Sequence, residues 1–129
     1  MPTGKQYAHW YPQLASAIRV WCPDIIHVEE EPMSLACAQT ALIRSWKAPN
    51  AHFLFFTWEN VHQRWLLPNL RAIAYPLFER ICYRAANLAI AGTQSAKRIL
   101  LERGFTKPIA VCPQFGINVR QFTPLPQER

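Results

Sequence analysis

Four clusters in this chain carry residue types that can hold or activate a polar ligand. They are Glu29-Glu30-Glu31-Pro32-Met33-Ser34, Thr57-Trp58-Glu59-Asn60, Gly92-Thr93-Gln94-Ser95 and Gln114-Phe115-Gly116-Ile117-Asn118. Three adjacent carboxylates repel one another, and a solvated turn would do with fewer. Glu29 to Glu31 are therefore expected either to bind ligand hydroxyls or to pair with a nearby arginine in a structural corner. Side chains alternate along an extended strand end, so Glu29 and Glu31 share one direction and Glu30 takes the other. Glu31, with Pro32 and Ser34, is expected to face the cleft. In the second cluster, Glu59 can serve as a general base or as an orienting carboxylate. The third opens a helix, where Gly92 and Thr93 either present free amides to an anion or form a plain cap.

Each cluster directly follows a short apolar run that reads as a buried strand: Ile25 to Val28, Phe53 to Phe56, Leu88 to Ala91 and Ile109 to Cys112. Amphipathic helical patterns fill the gaps, so the strands must run parallel and the clusters must gather along one edge of the sheet. Ligands bind at that carboxyl edge in open α/β sheets. The predicted fold is α/β, a Rossmann-like parallel sheet with flanking helices. A first helix carries Pro12 in its first turn, repeats Leu14, Ile18 and Trp21, and closes at Pro23. A second runs from Ser34, its cap, to Lys47, with Leu35, Ala38, Leu42 and Trp46 facing inward. A third spans Leu70 to Ala86 on the stripe Leu70, Ala74, Leu77, Ile81 and Ala85, with Pro76 predicting a kink or a late start. A fourth spans Gln94 to Arg103, capped by Thr93 or Ser95, and ends at Gly104 in a left-handed conformation.

The chain has 129 residues, half of them hydrophobic, which suits one globular core. No apolar stretch reaches the roughly 20 residues of a membrane span, and Met1 to Gln6 lacks a signal-peptide apolar region, so a cytosolic location is expected. Cys22, Cys37, Cys82 and Cys112 are widely spaced without a C-x-x-C pair, which reads as reduced structural thiols and no metal site. The formal charge of +6 favours anionic partners such as phosphates or lipid head groups, but the basic residues form no nucleic-acid motif. His27, inside a strand, reads as a core residue, and His9, His52 and His62 have no catalytic partner readable from spacing.

The order Pro23-Asp24-Ile25-Ile26-His27-Val28 before Glu-Glu-Glu-Pro-x-Ser, then Thr57-Trp58-Glu59-Asn60, Ala89-Ile90-Ala91-Gly92-Thr93 and Gly116-Ile117-Asn118-Val119-Arg120-Gln121-Phe122-Thr123-Pro124, resembles the amino-terminal domain of a family 4 glycosyltransferase of the GT-B fold. The closing segment is similar to the family's G-(V/I)-D-x-x-x-F-x-P signature at the domain junction, with Asn118 where the family usually has Asp. The resemblance implies domain-junction roles for Gly116, Asn118 and Phe122. It implies acceptor contacts at Glu30, Glu31, Ser34, Trp58 and Asn60. Glu59 falls where many members carry a His near the acceptor hydroxyl, and Trp58 either stacks on a sugar or simply packs.

The family's first strand with its glycine-rich loop has no counterpart, nor has the donor domain with its glutamate pair. The expected organisation is an incomplete acceptor-side domain over residues 1–118, a linker or tail over 119–129, and no donor-binding domain. The implied reaction transfers a sugar from a nucleotide-sugar donor to a glycan, lipid or small-molecule acceptor, without cofactor or metal. The isolated chain is expected to be inactive. A lipid acceptor would add peripheral membrane contact. The alternative is a non-catalytic binding or helper module that pairs with a separate donor domain, and a split reading frame is a third reading.

Overall fold

The structure, a computed structural model, describes residues 7–60, 70–113 and 115–116. Its elements alternate as α1 (Leu14–Trp21), β1 (Ile25–Val28), α2 (Leu35–Lys47), β2 (His52–Thr57), α3 (Leu70–Ala85), β3 (Leu88–Ala91), α4 (Gln94–Glu102) and β4 (Ile109–Val111). The strands form one sheet in the order β1-β2-β3-β4, and every neighbouring pair is parallel. This is the Rossmann-like α/β arrangement that the alternating pattern predicts.

Register determines which side chains share a face. Val28 pairs with Phe55, Phe55 with Ala89, and Ala89 with Ile109. These side chains meet Cys37 and Ala41 of α2, Cys82 of α3, and Ala96 and Leu100 of α4 in a single core. The three helices therefore cover the same face of the sheet. On the opposite face, Leu54, Leu88 and Ile90 are only half buried, and His27 is exposed. His27 is thus not the core residue that its place in a strand implied.

Small residues decide how α2 sits. Ser34 caps it by accepting from the Cys37 amide at 3.1 Å, and the helix buries Ala36, Cys37, Ala38 and Ala41. These short side chains let α2 approach α3 so closely that the Cys37 and Cys82 thiols lie 3.0 Å apart. The helix also buries Gln39 and Thr40, whose polar atoms bond to Tyr11 and to the Ala36 carbonyl. Leu42 and Trp46, expected inside, are 58% and 74% exposed. Apolar periodicity alone pointed to the bulky residues, but close packing selects the small ones. Leu77 of α3 and Trp21 of α1, also expected inside, are exposed as well.

The punctuation reads as predicted. α4 is capped by Thr93, which accepts from the Ala96 amide, and Gly104 follows it at φ +87°, a left-handed conformation suited to glycine. α3 passes through Pro76 without a late start.

Candidate functional site

The loops leaving β1, β2 and β3 meet at the carboxyl edge of the sheet and are tied together by side-chain hydrogen bonds. Glu31, after β1, accepts from the Thr57 hydroxyl at 2.5 Å and from the Trp58 amide at 2.8 Å, both at the end of β2. Asn60 accepts from the Thr93 hydroxyl at 2.5 Å, joining the β2 loop to the start of α4. The parallel sheet thus brings three of the four clusters onto one rim. Phe115 of the fourth stacks on Trp58, ring centres 5.7 Å apart.

Those bonds sort the site residues by availability. Glu31 is mostly buried and faces neutral donors; burial raises its pKa, the Thr57 and Trp58 hydrogen bonds pull the other way, and the net shift is upward. Ser34 is fully buried and its hydroxyl caps α2, while Pro32 is packed beside it. Neither Glu31 nor Ser34 presents a free edge to a cleft, contrary to the reading of that segment.

Glu59 is more deeply committed. Its two carboxylate oxygens receive both terminal nitrogens of Arg103, one at 2.8 Å and the other in a shorter contact. Arg103 also reaches Glu79 at 3.2 Å, and Glu79 accepts from the Tyr83 hydroxyl at 3.1 Å. All three charged side chains are at most 6% exposed. Burial opposes the charge on Arg103, but the hydrogen bonds and charge of Glu59, with Glu79, hold its pKa above the ordinary arginine value. Both carboxylate oxygens of Glu59 are taken up in this bidentate pair. This geometry suits the orienting role foreseen for Glu59 rather than the role of general base.

Trp58 is wedged between neighbours. A Cβ built on Gly92 would meet the Trp58 ring at 3.0 Å, and Phe56 lies edge-on at 5.5 Å. Gly92 is therefore glycine because an indole crosses it, and its amide donates to the Thr57 carbonyl at 2.9 Å. The Thr93 hydroxyl is likewise taken by its cap and by Asn60. Gly92 and Thr93 act here as a packing and capping pair. Gly116 is exposed with open space around it, and Asn118 and Phe122 lie outside the described residues.

One pairing had no signal in the spacing. The segment from Tyr7 to Tyr11 crosses the rim: the Tyr7 carbonyl accepts from the Leu35 amide, and Tyr11 exchanges two hydrogen bonds with Gln39. This places His9 Nδ1 3.1 Å from Glu30 Oε1, with both side chains about 30% exposed. A carboxylate only accepts, so Nδ1 is the donor of this pair, and in a neutral ring Nε2 is then the acceptor. Beside the pair opens a cavity of about 380 Å³ lined by Tyr11, His27, Glu29, Glu30 and Thr40. Tyr7 lies near the same carboxylates; burial, then the charges of Glu31 and Glu59, raise its pKa and keep its phenol protonated.

Among the described residues, no group of three or more His, Cys, Asp or Glu side chains is arranged to hold a metal ion. The described helices include none long and apolar enough to cross a membrane.

A family model described as Glycosyltransferase Family 4 matches residues 1–115. No curated protein and no solved structure matches the chain at a significant level. The matched span contains all four strands and the rim where their loops meet. The chain belongs to glycosyltransferase family 4, and its parallel sheet is that of a partial GT-B domain.

Proposed function

We propose that this chain forms the acceptor-side wall of an enzyme that transfers a sugar from a nucleotide-activated donor to a glycan, lipid or small-molecule acceptor. The observation that carries the proposal is the half-exposed His9–Glu30 pair beside its cavity, on a rim where Glu31 and Glu59 are taken up by Thr57, Trp58 and Arg103. An acceptor hydroxyl must lose its proton as its oxygen bonds to the anomeric carbon. His9 Nε2 takes that proton, and Glu30 holds the ring and stabilises the imidazolium that results. Glu29 and Asn60, both exposed, supply further hydrogen-bonding groups for acceptor hydroxyls. Glu59 is a positioning residue that fixes the β2 loop through Arg103.

The departing nucleoside diphosphate develops negative charge that needs cations, helix amino ends or a metal. On this rim the Gly92 amide and the Thr93 hydroxyl are already engaged, so that stabilisation comes from a donor-binding domain, on the same polypeptide or another. The reaction is placed in the cytoplasm, at a membrane surface when the acceptor is a lipid.

The test is to join the chain in frame to the donor domain of a family 4 enzyme and to follow nucleoside diphosphate release from UDP-glucose and GDP-mannose with a panel of acceptor sugars. Turnover by the joined protein but not by the chain alone is expected. Turnover by the chain alone, above a heat-treated control, overturns the division of labour.

A second reading, a non-catalytic helper that pairs with a separate donor domain, is favoured by the sheet face on which Leu54, Leu88 and Ile90 stay half exposed. Parallel sheets are normally covered on both faces. Co-purification with such a partner, without gain of turnover, would select this reading.

A further inference from the structure

We propose that the cavity between the second half of α3 and the turn from α4 to β4 binds a phosphate-bearing anion. The cavity holds about 580 Å³, and its walls include Arg80, Arg84, Arg103 and Lys107, with Glu79 and Tyr83. It lies towards the amino ends of the strands, since Lys107 precedes β4 and anchors to carbonyls just ahead of β3. No residue of this cavity belongs to the proposed acceptor pocket.

The charges of this cavity are unbalanced in one direction. The single carboxylate on its wall, Glu79, is already engaged by Arg103 and Tyr83. Arg80 and Arg84 are exposed and stand four residues apart on α3, so they share a face. Like charges at that spacing repel in a bare helix, and an anion between them removes the penalty. Lys107 donates to the carbonyls of Arg84 and Ala86, which fixes its ammonium at the floor. Arg103 contributes one more observation: its buried Nε has no hydrogen-bond acceptor among the described residues.

Two exposed guanidinium forks with a fixed ammonium match the several oxygens of a phosphate or diphosphate better than the two of a carboxylate. The phosphate could belong to a soluble molecule or to a lipid head group. Exposed Ile73 and Leu77 continue the Arg80 stripe along α3, which makes the second source worth separating from the first.

Isothermal titration of the full chain with pyrophosphate tests the proposal. Saturable one-to-one binding is expected, weakened about tenfold for each arginine removed in R80A and in R80A/R84A. Arg80 and Arg84 are exposed on an outer helical face, so these variants should fold, and circular dichroism checks that they do. R19A/R98A removes the same charge elsewhere and should bind as the parent does. Absence of saturable binding overturns the proposal, as does equal weakening in R19A/R98A. Sedimentation with phosphatidylglycerol vesicles, reversed by pyrophosphate and lost in R80A/R84A, would assign the phosphate to lipid. Pyrophosphate binding without vesicle sedimentation would assign it to a soluble ligand. The readout is binding rather than turnover, so it stands or falls independently of the transferase reading.

Discussion

The loops that leave β1 and β2 both present glutamates at the same rim, and they use them in opposite ways. Glu30 stays half exposed against His9, whereas Glu59 is buried against a guanidinium that also holds Glu79. Glu31 stands between the two, mostly buried, and among the described residues its hydrogen bonds come from a hydroxyl and an amide. A carboxylate entering a low-dielectric site needs a cation or several donors, and one left at the surface needs neither. The difference separates what holds the rim together from what can meet a ligand.

The largest way to break the contrast is Arg103→Met. It leaves Glu59 and Glu79 buried without their cation, and urea unfolding should show a loss of about 3–5 kcal/mol. A loss below about 1 kcal/mol would mean that the pair is solvated and the two loops are not so different.

Next in size is Glu31→Ala, which strands the Thr57 hydroxyl and the Trp58 amide and should cost about 2 kcal/mol in the same measurement. Glu31→Gln sharpens the point through pH. Burial raises the folded pKa of Glu31, so the fold favours its protonated form. That stabilising contribution is complete at low pH and fades as pH rises from about 4.3, the ordinary glutamate value, through the raised pKa. Urea midpoints should therefore move in favour of Glu31→Gln, relative to the parent, as pH increases over that window. A constant difference between the two proteins would contradict the burial argument.

Smaller again is Thr93→Ala, which removes the α4 cap and the link to Asn60 and should lower stability by about 1 kcal/mol. Smallest is Glu30→Gln, whose partly exposed pair should change stability by less than about 0.5 kcal/mol while impairing acceptor use in the joined enzyme.

The sequence carried the topology because strand length, helix caps and Gly104 are local signals, and parallel connection follows from the helices between the strands. It also carried the rim, since four clusters after four strands can only gather at one edge. It did not carry which glutamate meets which partner. Glu59 and Arg103 are separated by two helices and a strand, and His9 reaches Glu30 only because the segment from Tyr7 to Tyr11 is pinned to α2 by Leu35 and Gln39. Long-range pairing of this kind leaves no periodicity to read. The inward face of α2 departs from the apolar repeat for a related reason: Leu42 and Trp46 satisfy a helical period, while the contact with α3 needs the small side chains of Cys37 and Ala41.

The most direct test of the assignment is the turnover of the joined enzyme with His9→Asn, measured beside its thermal midpoint. The account predicts a fall in kcat of about a hundredfold or more with the midpoint nearly unchanged, as for loss of a general base from a partly exposed site. Full turnover in that variant would contradict it and return the chemistry to another group on the rim.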